Sequence, residues 1–198
     1  MTSIYDNGAE YDSLALGPAS SAETDFYASC VPPGGNVLEP ACGTGRFSIP
    51  LAERGLNLTG LDNSEAMLAG AQSKDAVCEA SPAFAFGDMR DFALDMPFDL
   101  IFLPNNLLGY TRSDDKTVAV SETVSYDATT QVPYALWHYQ MEGEPAEVRS
   151  LDLRTFFPQE LEALLSLSGS TIEAKYGGFD KPLFSSASRR QVIVCPAS

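Results

Sequence analysis

Apolar positions in the first half of the chain fall into short runs separated by stretches with helical spacing. Val37–Leu38, the alternating Leu56-Asn57-Leu58-Thr59-Gly60-Leu61, Ala83–Phe86 and Phe98–Leu103 read as strands. Between the first two, Phe47, Ile49 and Leu51 predict a helix over 46–54, stopped by Gly55. Pro50 sits inside it, and beyond the first turn a proline deletes a helix hydrogen bond, so this helix either begins late or bends. A second helix is expected after Ser64, a suitable N-cap, with Met67 and Leu68 on its apolar face. Strands alternating with helices mean a doubly wound parallel sheet of Rossmann-like α/β type.

The pattern changes after residue 110. Val118, Val120, Glu122, Val124 and Tyr126 alternate with a period of two, Asp127 to Thr130 offers a turn, and strands follow over 133–141 and 148–157. Connections this short imply an added antiparallel β-sheet. Pro158 then opens a helix with Leu161, Leu164 and Leu165 on one face, Gly169 ends it, and strands over 171–176 and 191–195 close the chain. At the other end, residues 1–35 are polar with spaced aromatics, and read as short helices lying over the opening of the fold. One domain over 1–198 is expected, divided at about residues 36, 110, 116 and 158.

Composition narrows the choice of partner. The chain has 198 residues, 44% of them hydrophobic, which suits one α/β domain with a real core. Its formal net charge of −15 argues against nucleic acid or an anionic membrane surface, both of which would repel it. No apolar run approaches membrane-spanning length, and residues 1–10 lack the basic start and apolar centre of a signal peptide. Four scattered cysteines and one histidine show no metal-ligand spacing, so reduced thiols in a cytoplasmic protein without a metal are the expectation.

The chemistry concentrates in Asn36 to Phe47, N-V-L-E-P-A-C-G-T-G-R-F. A strand, a glycine turn and a helix in that order leave backbone N–H groups facing a ligand, with glycine letting the backbone come close. Polar residues stand at the ends of all four expected strands: Glu39, Asp62, Asp88 and Asn105. Ligands of doubly wound sheets bind at those carboxyl ends, beside the point where strand order reverses.

Those residues resemble the class I S-adenosylmethionine-dependent methyltransferases. L-E-P-A-C-G-T-G-R-F is similar to the family's first motif, L-T-G-L-D-N-S-E-A-M-L to its second and F-G-D-M-R-D-F to its third. The likeness is strong over 5–110; the remainder resembles small-molecule enzymes of the type that dimethylates amino sugars. The resemblance implies S-adenosylmethionine as cofactor, S-adenosylhomocysteine as product, and a small-molecule methyl acceptor. It implies that Glu39 holds the amino end and that Ala41, Gly43 and Gly45 admit the methionine part. Asp62 would accept the ribose hydroxyls, while Asn63 and Met67 line the adenine edge. Asp88 would accept from the adenine amino group, with Met89 against the ring, and Gly87 would belong to the same cofactor site. Pro104 and Asn105 would lie near the sulfonium, and Tyr11, with Tyr5, in the lid. The physical reading agrees: a sulfonium carries its own leaving group, so the protein must chiefly align the reactants, exclude water and accept a proton.

One departure is expected to matter. The family follows its fourth strand with helices and a fifth parallel strand, whereas here residues 108–116 run straight into the antiparallel strands. A parallel crossover needs a dozen or more residues. The strand near Gln191–Cys195 is therefore expected to pair beside the fourth strand, or a homodimer to cover the antiparallel sheet. His138, the single histidine, reads as a sheet-surface residue, and Cys42 as a small packing residue rather than a nucleophile. The competing readings are a cofactor-binding protein without chemistry and a nicotinamide dehydrogenase. Against the latter, Ser48 stands where its fingerprint wants a third glycine.

Overall fold

The computed structural model describes residues 2–3, 6–8, 11–12, 18–76, 81–104, 118–141, 147–152, 156–188 and 190–196. The chain divides into two compact units, Met1–Ser125 with Tyr134–Asp152, and Tyr126–Pro133 with Leu153–Ser198.

The first unit holds a four-stranded parallel sheet made of β2 (Asn36–Pro40), β3 (Asn57–Asp62), β4 (Ala83–Phe86) and β5 (Leu100–Ile101), in the order β4-β3-β2-β5. The chain enters at β2, winds outward through β3 and β4, then returns to the other side of β2. The reversal lies between β2 and β5, which is where doubly wound sheets bind ligands. The sheet core is apolar as patterned, with Val37, Leu38 and Leu51 at 0% exposure. β5 is shorter than the apolar run 98–103, because only Leu100 and Ile101 find ladder partners on β2.

Three helices of this unit are described. α1 (Ser21–Ala28) begins with a complete capping box, in which Ser20 and Glu23 satisfy each other's backbone N–H groups. Its Tyr27 meets Phe47 and Phe102 at ring-centroid distances of 5.6 and 4.4 Å, so an aromatic cluster docks α1 beside the sheet. α2 (Ser48–Ala52) settles the Pro50 alternatives: the helix begins late, which puts Pro50 in the first turn where no hydrogen bond is lost. α3 (Glu65–Asp75) is capped by Ser64, whose hydroxyl accepts from the Met67 N–H at 3.2 Å.

A second sheet has the order β1-β8-β7-β6, from β1 (Thr2–Ser3), β6 (Val118–Asp127), β7 (Val132–Met141) and β8 (Glu147–Asp152). β7 and β8 are antiparallel as expected, and half-buried His138 lies opposite Val148 in their ladder. β1 adds a parallel edge on β8 that two polar residues gave no reason to expect.

The second unit contains α4 (Pro158–Leu167) and the antiparallel pair β9 (Ala174–Tyr176) and β10 (Val192–Val194). Among the described residues β10 has its ladder with β9. Both are short, and their full register, Val192 opposite Tyr176 through Val194 opposite Ala174, makes a local hairpin-like ladder. Among the described residues, no helix is long and apolar enough to cross a membrane.

Candidate functional site

β2 delivers Glu39 to its carboxyl end, where only 1% of the residue is exposed. The Ser48 hydroxyl donates to its Oε2 at 2.5 Å. Burial is the main influence on this carboxyl and pushes its pKa up to about 8; Asp62 adds to the rise, while Ser48 and Arg46 oppose it. Beyond Glu39 the chain turns through Ala41 (φ 57°), Gly43 (φ 56°) and Gly45 (φ 77°). At Gly43 a Cβ would meet nothing within 4 Å, so the missing side chain leaves open space. Gly45 stands behind the turn, where a Cβ would come within 3.1 Å of Ile49 and Phe84.

β3 ends in Asp62, and two backbone donors aim its carboxylate. The Gly43 N–H donates to Oδ2 at 2.8 Å and the Ser64 N–H to Oδ1 at 2.9 Å. Each carboxylate oxygen has two lone-pair sites, so both keep acceptor capacity after these bonds. The glycine turn and the end of β3 are thereby locked to each other.

A segment that is distant in sequence closes over this edge. Gly8 is buried so tightly that a Cβ would come within 2.7 Å of the Ala66 carbonyl oxygen on α3. Asp12 takes a hydrogen bond from the Thr44 hydroxyl at 2.6 Å and an ion pair from Lys74 at 2.8 Å. Its neighbour Tyr11 is helical, and burial raises its phenol pKa, an effect that Arg46 opposes.

Together these elements enclose a cavity of about 230 Å³ at the strand ends. Eight expected residues line it: Tyr11, Glu39, Ala41, Gly43, Asp62, Asn63, Met67 and Pro104. Gly45 supports the wall from behind. Gly87 and Asp88 lie next door, since the Gly87 N–H donates to the Asp62 carbonyl at 3.0 Å, but they do not line the cavity. Arg90 holds the Asp88 carboxylate through side-chain and backbone N–H donors at 2.9 Å, and this lowers its pKa to about 2. Met89 is 42% exposed. Asn105 and Tyr5 lie outside the described residues.

The wall also contains Cys42, Thr44, Arg46, Phe47 and Ser64, which sequence reasoning did not place in the site. Arg46 carried a signal, because it is the first Lys or Arg in the chain and directly follows the glycine turn. Cys42 is a neutral thiol, its pKa raised by burial and then by Glu39 and Asp62. That suits the packing role expected of it. Among the described residues, no group of three or more His, Cys, Asp or Glu side chains could hold a metal ion.

Residues 37–126 match the protein family described as a methyltransferase domain. YqeM of Bacillus subtilis, a methyltransferase by provisional name, is 35% identical over 124 residues, covering 61% of this chain and 49% of that protein. The chain thus spans about half the length of that curated relative. Among solved structures, the CcbJ methyltransferase from Streptomyces caelestis superposes with a TM-score of 0.84 at 21% identity, over 99% of this chain and 98% of the other. CalS10, an amino pentose methyltransferase from Micromonospora echinaspora solved with S-adenosylmethionine bound, gives 0.66 at 17% identity, over 99% and 92%. The strand order, the cavity at its reversal and these likenesses agree: the chain has the fold of the S-adenosylmethionine-dependent methyltransferases, and its residues 37–126 match the methyltransferase-domain family.

Proposed function

We propose that the protein binds S-adenosylmethionine in the cavity at the ends of β2 and β3 and transfers its methyl group to a nitrogen or oxygen atom of a small molecule. The observation that carries this reading is the convergence of Glu39, Asp62 and the glycine turn on one cavity, although the two acids lie 23 positions apart in sequence. The residues fit the cofactor. The space beside Gly43 is one that any side chain would begin to fill. Glu39 offers a buried carboxyl to an ammonium group, and Asp62 a fixed carboxylate with acceptor capacity for a pair of hydroxyls.

Bound there, the sulfonium supplies a methyl group on a ready leaving group. The protein contributes position. Asp62, aligned by two backbone N–H groups, sets the ribose; Met67, at 1% exposure, and Asn63 bound the adenine side. Glu39 fixes the amino end. Tyr11, on the cavity wall, would exclude water from the site, and Pro104, also on that wall, would stand near the sulfonium end. Alignment of this kind is what an in-line displacement chiefly needs. Amino sugars are the acceptor class we would try first, because CalS10 and the sugar N-methyltransferase KedS8 share this fold.

Calorimetric titration with S-adenosylhomocysteine tests the cofactor, and consumption of S-adenosylmethionine across amine and hydroxyl acceptors tests the transfer. Binding of the nucleoside, lost in Asp62→Ala, is expected. A wild-type protein that binds neither compound overturns the reading, and binding without turnover on any acceptor overturns its catalytic half.

A further inference from the structure

Arg46 is the one Lys or Arg among the described residues lining the cavity. It sits directly after Gly45, whose left-handed backbone ends the glycine turn. Its guanidinium carbon lies 4.5 Å from the centre of the Phe47 ring, and its Nη2 is 3.1 Å from Glu23 Oε2 on α1. The side chain is only 19% exposed, so it is held by a ring and an ion pair rather than ranging through solvent. Its charge also reaches into the cavity, where it acts on both Tyr11 and Glu39.

The cavity wall otherwise carries acids. Glu39 and Asp62 suit the ammonium and hydroxyl groups of the proposed cofactor, but that molecule has one anionic group, the carboxylate of its methionine part. A carboxylate placed among carboxyl groups needs a cation, and a guanidinium offers it a planar fork of N–H donors. On the reading given under Proposed function, we infer that Arg46 is the residue that recognises the cofactor's carboxylate, with Glu23 and Phe47 holding its guanidinium in place. The site then distinguishes an intact amino-acid end from an adenosyl sulfonium lacking the carboxylate. Arg46 thereby makes α1 part of the cofactor site, because Glu23 lies on that helix.

The test pairs a side-chain change with a ligand change. Calorimetry measures S-adenosylmethionine and decarboxylated S-adenosylmethionine, which differ only in the carboxylate, against the wild type, Arg46→Gln and Arg46→Lys. The wild type is expected to prefer the intact cofactor by roughly 10- to 100-fold, in line with a charged hydrogen-bonded pair. Arg46→Gln should abolish that preference while holding the decarboxylated compound within about two-fold, and Arg46→Lys should restore part of it. Equal losses for both ligands in Arg46→Gln, or an undiminished preference, overturn the assignment. Should Arg46→Gln fail to fold on a thermal melt, the wild-type preference and Arg46→Lys still decide, since no preference in the wild type overturns it. 5′-Methylthioadenosine, which lacks the amino-acid end, separates the two failures. Wild-type protein that binds it without preferring the intact cofactor refutes only the role of Arg46, whereas protein that binds none of the three nucleosides refutes the cofactor reading as well.

Discussion

Glu39 is buried to 1% exposure, and a folded-state pKa of about 8 against an ordinary value of 4.5 ties stability to pH. Between those values the folded protein keeps a proton that the unfolded chain releases. The unfolding free energy therefore falls as pH rises from about 4.5 to about 8, then levels off. A shift of this size corresponds to a loss on the order of a few kcal/mol. Denaturant titrations of the ligand-free protein at about pH 5 and about pH 8 should show this decline, and Glu39→Gln should flatten it. Both acids of the cavity were readable beforehand, because each follows an apolar run and so must stand at a strand end. The fate of Asp88 was less visible. Its motif places it at the end of β4, but Arg90, two residues on, takes its carboxylate by side chain and backbone together. Such local pairing competes with any ligand, and it depends on a turn conformation that residue type alone does not specify.

Caps and latches set the elements. Ser64→Ala removes the acceptor for the Met67 N–H at the start of α3 and should cost about 1 kcal/mol, read as a lower denaturation midpoint. The Asp62 carboxylate keeps its backbone donors in that variant, so cofactor affinity should change little. Asp12→Ala should behave in the opposite way. Asp12 joins the N-terminal stretch to Thr44 of the glycine turn and Lys74 of α3, so its loss loosens the cover over the cavity. Affinity for S-adenosylhomocysteine should fall roughly three- to ten-fold in calorimetry, the value of one charge-assisted hydrogen bond. Lys74→Met should do less, because that ion pair is substantially exposed. The periodicity of 46–54 showed a helix in the right place, and Pro50 limited where it could begin. The latch was not legible, since Asp12 and Thr44 are 32 residues apart and neither carries a pattern.

For the molecule as a whole, the excess of acids dominates long-range electrostatics. A net charge of −15 opposes compaction by self-repulsion, which salt screens. The melting temperature of the ligand-free protein should therefore rise by a few degrees between about 0.02 M and about 0.3 M sodium chloride; a fall would show that local ion pairs outweigh the repulsion. Composition, the alternation of strand and helix, and the acids at strand ends were determined by sequence alone, because each is set by neighbours within a few positions. So were the parallel class of the first sheet and the antiparallel ladder of β7 and β8. The partner of β10, the parallel edge β1, the closing of Gly8 on α3 and the entry of Arg46 into the cavity wall were decided only in the tertiary structure. Each depends on which distant surface is within reach once the chain has folded, and no local periodicity encodes that.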